Sequence, residues 1–275
     1  MKGLAPLFLG LFGTFAFSWI GLTVIPNIQI GALNPQMDEE GTDIYPMPKS
    51  GMAERGRRVY AANGCFYCHS QQIRPDYVSA DIDRKWGERR SAPRDYLFDR
   101  PVMLGQERMG PDLSNVGKRG AEEEKPAAAP GANPPAASPA ANAAPSPSPS
   151  ASPNPNGMPL IYSEAWHYRH LYSPRSMTPD NVDSTMPAYK FLYEKHPISG
   201  ERSADALQLT GAEAPPPGWE VVPSYDAKCL VAYLMSLDQS HPLKEVKNIG
   251  AAPPPAASPP AQPAAGSPPP APAKK

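Results

Sequence analysis

The motif CFYCH at residues 65–69 constrains this chain more than any other feature. Two cysteines three positions apart, followed at once by a histidine, form the attachment signature of a c-type haem. The two thiols can add to the two vinyl groups of one porphyrin, and the adjacent imidazole can reach the iron. A thioredoxin-like redox pair and half of a zinc site are the alternatives. The chain has no second cysteine pair, and its third cysteine, Cys229, receives no role. We therefore predict one covalent haem c held by Cys65, Cys68 and His69.

Proline-rich segments limit how much of the chain can fold. The 275 residues include 39 prolines, and residues 121–160 and 251–275 consist mainly of Ala, Pro, Ser and Asn. Such segments cannot bury enough apolar surface to offset their ordering entropy, so we expect a disordered insert and a disordered tail. The near balance of 26 basic and 27 acidic residues gives no indication of a nucleic-acid partner.

The start of the chain predicts a membrane anchor. Residues 4–25 carry no charge and, as a helix, are just long enough to cross a hydrocarbon core of about 30 Å. A cleaved signal peptide is the alternative, but its apolar region is shorter and ends in small residues. We predict one retained transmembrane helix.

The charges that flank this helix predict its orientation. Lys2 precedes it, whereas four acidic residues come before the first downstream cation, Lys49. These acidic residues are Asp38, Glu39, Glu40 and Asp43. The positive-inside rule then places the bulk of the chain outside the cytoplasm. We expect a single-pass protein of a bacterial inner membrane, with its haem domain on the periplasmic side, where c-type haems are attached.

Two helices are expected to frame the haem domain. Residues 52–63 predict a helix that ends at Gly64, with Arg55, Arg57 and Arg58 outward and Val59 and Tyr60 inward. Apolar residues at helical spacing predict a second helix over 224–237. We expect the two helices to cross where Gly56 meets Tyr233 or Leu230.

The predicted fold is mostly α, with one transmembrane helix followed by a small cytochrome c-like domain. Its parts are a cytoplasmic end (1–3), the transmembrane helix (4–25), a linker (26–50), the haem domain (51–240, interrupted by the insert 121–160) and the tail (241–275).

The iron of a six-coordinate haem has two axial ligands, and His69 is expected to supply one. A backbone carbonyl normally orients such a histidine, and Pro111 in a rigid Gly-Pro-Asp-Leu loop is the best candidate to provide it. Candidates for the sixth ligand are Met103, Met109, Met158, Met177, Met186, His167 and His170. Met186 is preferred because Pro187 stiffens its loop ahead of the last helix, and Met177 is the reserve. A methionine ligand fills the coordination sphere and favours electron transfer over catalysis.

Two histidines and several arginines remain as candidates for other contacts. His167 and His170 can share a helical face and bind a metal, but we expect a structural role or contact with the haem propionates. The arginines that can pair with propionates or remain solvated are Arg74, Arg108, Arg119 and Arg175.

Taken together, these motifs resemble the mono-haem cytochrome c subunit, subunit II, of the cbb₃-type (C-type) haem-copper oxidases. The segments that carry the resemblance are residues 64–71, 74–75, 86–87, 95–96, 99, 101, 105, 108, 110–113, 166–167, 170–171, 174–175 and 186–189.

The resemblance implies a role in respiration. A subunit of that family takes electrons from a di-haem cytochrome subunit and passes them to the low-spin haem b of the catalytic, oxygen-reducing membrane subunit. On its own it is not an enzyme. Three alternatives stay open: an anchored cytochrome c subunit of a nitric oxide reductase, a haem enzyme or gas sensor with an open iron site, and an independent membrane-tethered shuttle.

Overall fold

The computed structural model describes residues 3–37, 41–119, 162–177 and 184–247. The predicted insert and most of the predicted tail lie outside the described residues, as do Lys2, Met158 and the acidic residues 38–40. Helices predominate in the described ranges, as predicted. The longer helices are α1 (Ala5–Gly31), α2 (Gly51–Ala62), α3 (Glu164–Tyr172) and α4 (Tyr225–Met235). The strands are β1 (Gln36–Met37), β2 (Ile44–Tyr45), β3 (Tyr193–Pro197) and β4 (Trp219–Pro223).

Helix α1 is long and apolar enough to cross a membrane, and none of its residues is buried within the protein. It continues to Gly31, past the predicted end at residue 25. In a regular α-helix the ring of Pro26 would clash with the carbonyl four residues before it, which favours an end at this point. Here a wider π-helical turn, Ile20–Val24, precedes Pro26 and lets the helix continue.

The segment after α1 packs onto the domain, which corrects the prediction of a linker over 26–50. Strands β1 and β2 pair as an antiparallel hairpin. The Gln36 side chain donates through Nε2 to the Pro242 carbonyl at 3.2 Å and accepts from the Lys244 N–H at 3.1 Å. The Arg94 guanidinium donates to the Asn34 carbonyl. We call residues 34–37 and 41–45, together with the 238–246 segment that they contact, the clasp.

Tyr45 lies at the centre of the clasp. Its ring stacks on His241 with centroids 4.2 Å apart, and its hydroxyl donates to Asp95 at 2.8 Å. Asp95 also accepts two hydrogen bonds from Arg89, and neither side chain of that ion pair is exposed. Burial and the Asp95 carboxylate raise the pKa of Tyr45. Because removing one partner of a buried ion pair leaves an uncompensated charge, this cluster ties the clasp firmly to the domain.

The domain extends beyond its predicted boundary at residue 240. Leu243 and Val246 are buried against Ala92, and Tyr45 packs beside them. Two isolated apolar residues just before a Pro/Ala-rich stretch give too weak a pattern to be recognised in the sequence. Residues 241–247 therefore belong to the folded part of the chain.

The core forms where α2 crosses α4, as predicted. A Cβ atom added to Gly56 would lie 1.9 Å from the Cys229 carbonyl oxygen and 2.7 Å from Cβ of Tyr233. Ser224 caps α4 by accepting from the Ala227 N–H. The apolar residues at helical spacing in the predicted helix are all buried: Ala227, Leu230, Val231 and Leu234 within α4, and Leu237 just after its end. Cys229 is buried beside them, as its small apolar character suggests.

Helix α2 shows one departure from its predicted orientation. Tyr60 is buried, and Arg55 and Arg58 are exposed as expected. Arg57, in contrast, is only 13% exposed and pairs with Glu54 at 3.0 Å. Its aliphatic stem covers the surface of the domain while its charge is neutralised locally.

The sequence did not predict the strand pair that leads into α4. Strands β3 and β4 are antiparallel, with Tyr193 opposite Pro223, and Val221 is completely buried. The N–H of Ser224 donates to the Leu192 carbonyl, so the hairpin fixes the start of α4. A connection of some twenty residues separates the strands, and such a spacing carries no hairpin signal.

The crossing at Gly56 predicts a large effect of added volume. Gly56→Val should lower the free energy of unfolding by about 3 kcal/mol, because the new side chain meets the α4 backbone, which cannot rotate away. Urea denaturation of the full chain in detergent, followed by near-ultraviolet circular dichroism, measures the change. Ala62→Val adds similar volume at an exposed position of α2 and should cost much less. Equal losses in the two variants would contradict a close crossing.

Candidate haem-attachment site

The cysteine motif follows α2 directly and is shaped by a sharp turn. Gly64 adopts φ +68°, a left-handed conformation that glycine tolerates readily. Cys65–Tyr67 then form a 3₁₀ turn, and the N–H groups of Cys68 and His69 both donate to the Cys65 carbonyl. This compact turn keeps the two thiols and the imidazole close together. Both cysteines are half-buried free thiols, and burial raises the pKa of the Cys65 thiol to about 11.

His69 is oriented by the carbonyl that the sequence predicted. Its Nδ1 lies 2.8 Å from the Pro111 oxygen. Because a carbonyl only accepts, Nδ1 carries the proton and Nε2 keeps its lone pair for a metal. Burial lowers the pKa of His69, and the Pro111 hydrogen bond only partly offsets this effect. The imidazole is therefore neutral at neutral pH, which is the form that binds metals.

Gly110 allows the Pro111 loop to approach the imidazole. A Cβ atom at this position would lie 2.2 Å from Cε1 of His69. The Gly110 N–H donates to the Cys68 carbonyl at 3.0 Å, so the loop lies flat against the motif. Any larger residue at position 110 would displace the imidazole.

A buried carboxylate joins the same two segments. Asp112 accepts hydrogen bonds from the Ser70 hydroxyl at 2.6 Å and from the N–H groups of Gln72 and Ser114, each at 2.8 Å. It is completely buried, so losing these bonds would leave several polar groups unsatisfied. Asp112 has no separate role among the sequence-based predictions. Its position directly after Pro111, whose carbonyl accepts from His69, was the available signal.

The four arginines named from the sequence have different environments. Arg108 bonds both oxygens of the buried Asp81 at 2.5 and 2.6 Å, so its charge is already paired. Burial raises the pKa of Asp81, but the bonds that it accepts from Arg108, Ser79 and Arg74 outweigh burial and lower the pKa overall. Arg175 donates to the Ser184 carbonyl, and Arg74 is exposed. Arg119, the fourth of these arginines, forms no ion pair with a carboxylate in the described ranges.

The predicted ligand loop approaches the motif from the other half of the domain. Tyr189 lies near Cys65, because it partly offsets the effect of burial on the pKa of that thiol, and the Tyr189 N–H donates to the Leu171 carbonyl at 2.9 Å. Met186, three residues earlier, is half-buried and packs against the same core cluster as Cys65. The structure thus brings the Met186 loop to the attachment segment.

The other methionines have less suitable surroundings. Met103 and Met177 are buried, with 8% and 2% exposure. Met109 is 60% exposed, and its sulfur lies 3.8 Å from that of Cys68. A methionine that is buried in a packed core, or that lies beside an attachment thiol, is poorly placed to bind the iron of a haem held by His69.

Helix α3 places the two predicted histidines near the motif. His167 is 4% exposed, and burial lowers its pKa to about 3. The His170 ring stacks on the Trp166 ring, with the ring centroids 4.5 Å apart. Burial, followed by the nearby His69, lowers the pKa of His170 to about 4. In the described parts of the chain, His, Cys, Asp and Glu residues form no group of three or more suited to a metal ion.

The donor set fits a covalently attached haem. Two free thiols flank a turn that ends in a neutral imidazole, whose Nδ1 is bonded and whose Nε2 is available. Gly110, which has no side chain, lies against the same imidazole ring. These features together match what a c-type haem requires of its protein.

Comparison with known families agrees with this site. The family model described as cytochrome c oxidase, mono-heme subunit/FixO matches residues 7–131, which include most of α1, the motif and the Pro111 loop. No curated protein sequence matches the chain. Over these residues, the match confirms the sequence-based resemblance to subunit II of the cbb₃-type oxidases.

Proposed function

We propose that this chain relays electrons within a respiratory terminal oxidase. It receives them from a di-haem cytochrome c subunit or a soluble cytochrome c, and it passes them to the low-spin haem b of the catalytic, oxygen-reducing subunit. The observation that carries the proposal is the His69 imidazole, held by Pro111 within the attachment motif of an oxidase family. When bound, haem c supplies a one-electron couple.

Each protein group has a defined task in this proposal. Cys65 and Cys68 hold the haem through two thioether bonds. His69 offers Nε2 to the iron, and Pro111 keeps its ring in place. Met186 would supply a second ligand, and the packing of Met186 and Cys65 against the same core cluster supports this assignment. Two protein ligands would keep substrates from the iron.

The anchor and the clasp support a subunit fixed in a complex rather than a mobile shuttle. Helix α1 ends at Gly31, and the Asn34 carbonyl already accepts from Arg94 on the domain. Only residues 32 and 33 separate the end of α1 from the contact at Asn34. This connection is too short to let the domain reach distant partners. The domain lies on the periplasmic side in this proposal, because Lys2 precedes α1.

The ligand assignment predicts distinct behaviour of two methionine variants. Met186→Ala should lower the midpoint potential of the haem and abolish the sulfur-to-iron absorption band, because the thioether stabilises ferrous iron. Met177→Ala, which removes a buried methionine from the same half of the domain, should keep both. Redox titration with optical spectra measures them. An unchanged band in Met186→Ala would refute this ligand.

The relay role predicts stable association with other subunits. Purification of the native membrane protein in mild detergent should yield this chain with a multi-span haem-copper subunit and a di-haem cytochrome, identified by mass spectrometry and haem staining. Recovery of the chain alone would contradict the oxidase role. Recovery with a nitric oxide reductase would replace the proposed partner with the alternative one.

A further inference from the structure

Arg119 and His167 are two of several side chains near the haem-attachment site that carry buried nitrogen atoms without hydrogen-bond partners. In these two residues the atoms are Nε and Nη1 of Arg119 and Nε2 of His167. A buried polar atom without a partner costs about 1–3 kcal/mol, and more when the group is charged. Native proteins rarely leave such groups unpaired, so their surroundings point to a ligand or to bound water.

Arg119 is held firmly although part of its guanidinium has no partner. One nitrogen donates to the Asp112 carbonyl at 2.5 Å, and the guanidinium lies over the Tyr162 ring at 5.3 Å. In the described ranges no carboxylate forms an ion pair with it. These contacts fix the direction of the guanidinium and leave its other N–H groups to bind an anion.

The position of Arg119 relates it to the haem. Its hydrogen-bond partner, Asp112, directly follows Pro111, the residue that orients His69. The Arg119 charge contributes to lowering the pKa values of both His69 and His167. Arg119 and His167 also lie beside the same ring, because the Arg119 guanidinium is 5.3 Å and the His167 ring 6.5 Å from the centre of the Tyr162 ring.

We propose that Arg119 and His167 together bind a propionate carboxylate of the haem. This inference rests on the proposed function, because it requires a bound haem c. A propionate brings the negative charge that the buried guanidinium lacks, and its two oxygens can accept from both side chains. Arg119 and His167 would then be positioning residues, which set the orientation of the haem and the electrostatic environment of the iron.

Infrared spectroscopy can observe this contact directly. The experiment uses the full chain carrying haem with ¹³C at the propionate carboxyl carbons, and it records oxidised-minus-reduced difference spectra together with midpoint potentials. Arg119→Gln and His167→Phe should both shift the labelled carboxylate bands. Arg119→Gln should also disfavour reduction about tenfold, which is about 59 mV for a one-electron couple, because a lost positive charge favours ferric iron.

Matched variants separate this role from folding and from general charge. Arg74→Gln removes the same charge from an exposed side chain, and both readouts should remain unchanged. Arg119→Lys keeps the charge but loses the planar fork, so the bands should shift while the reduction equilibrium stays within about threefold. His167→Gln retains a donor and should restore the carboxylate bands toward their wild-type positions. Arg119→Lys and His167→Gln keep the test decisive if Arg119→Gln or His167→Phe prevents folding.

Two outcomes would overturn the proposal in different ways. Unchanged labelled bands in the Arg119 and His167 variants, in a chain that holds haem, would refute the propionate contact and leave the relay function intact. That result would assign the unpartnered atoms to bound water or to another carboxylate. A wild-type chain without covalent haem would refute both proposals.

Discussion

The 2.8 Å hydrogen bond between His69 Nδ1 and the Pro111 carbonyl connects the two segments on which the site depends. It sets the tautomer of the imidazole, and burial keeps that imidazole neutral. Gly110 permits the close approach, and Asp112 fixes the loop from its other side through Ser70. The loop therefore holds the imidazole in one orientation, as the proposed electron-transfer haem would require.

A second set of interactions determines where that haem is held. The hairpin after the membrane helix packs against residues 238–246, with Tyr45 stacked on His241 and bonded to the buried Asp95. The buried Arg89–Asp95 pair makes this contact specific rather than merely apolar. The domain therefore stands at a short, fixed distance from the end of its anchor. In the proposed relay, this fixed geometry would favour repeated transfer between the same partners, because the distance between redox centres would stay constant.

Much of this organisation could be predicted from the sequence, because the strongest patterns are local. The motif, the crossing at Gly56 and the Pro111 carbonyl each depend on a residue type with a distinctive physical property. The clasp and the β3–β4 hairpin could not be predicted, because their contacts join residues far apart in the chain. Gln36 and Pro242, for example, show no shared pattern until the fold brings them together. The helix passing Pro26 was missed because a π-helical turn has no simple sequence signal.

The central claim is that this haem transfers electrons without binding a substrate at its iron. Carbon monoxide binding to the ferrous, haem-loaded chain, followed by stopped-flow absorption spectroscopy, tests this claim most directly. Two protein ligands leave no open position, so the account predicts that the native chain shows no rapid carbon monoxide binding at neutral pH. Rapid and complete formation of a carbon monoxide complex would contradict the account and would indicate an enzyme or gas sensor with an open iron site.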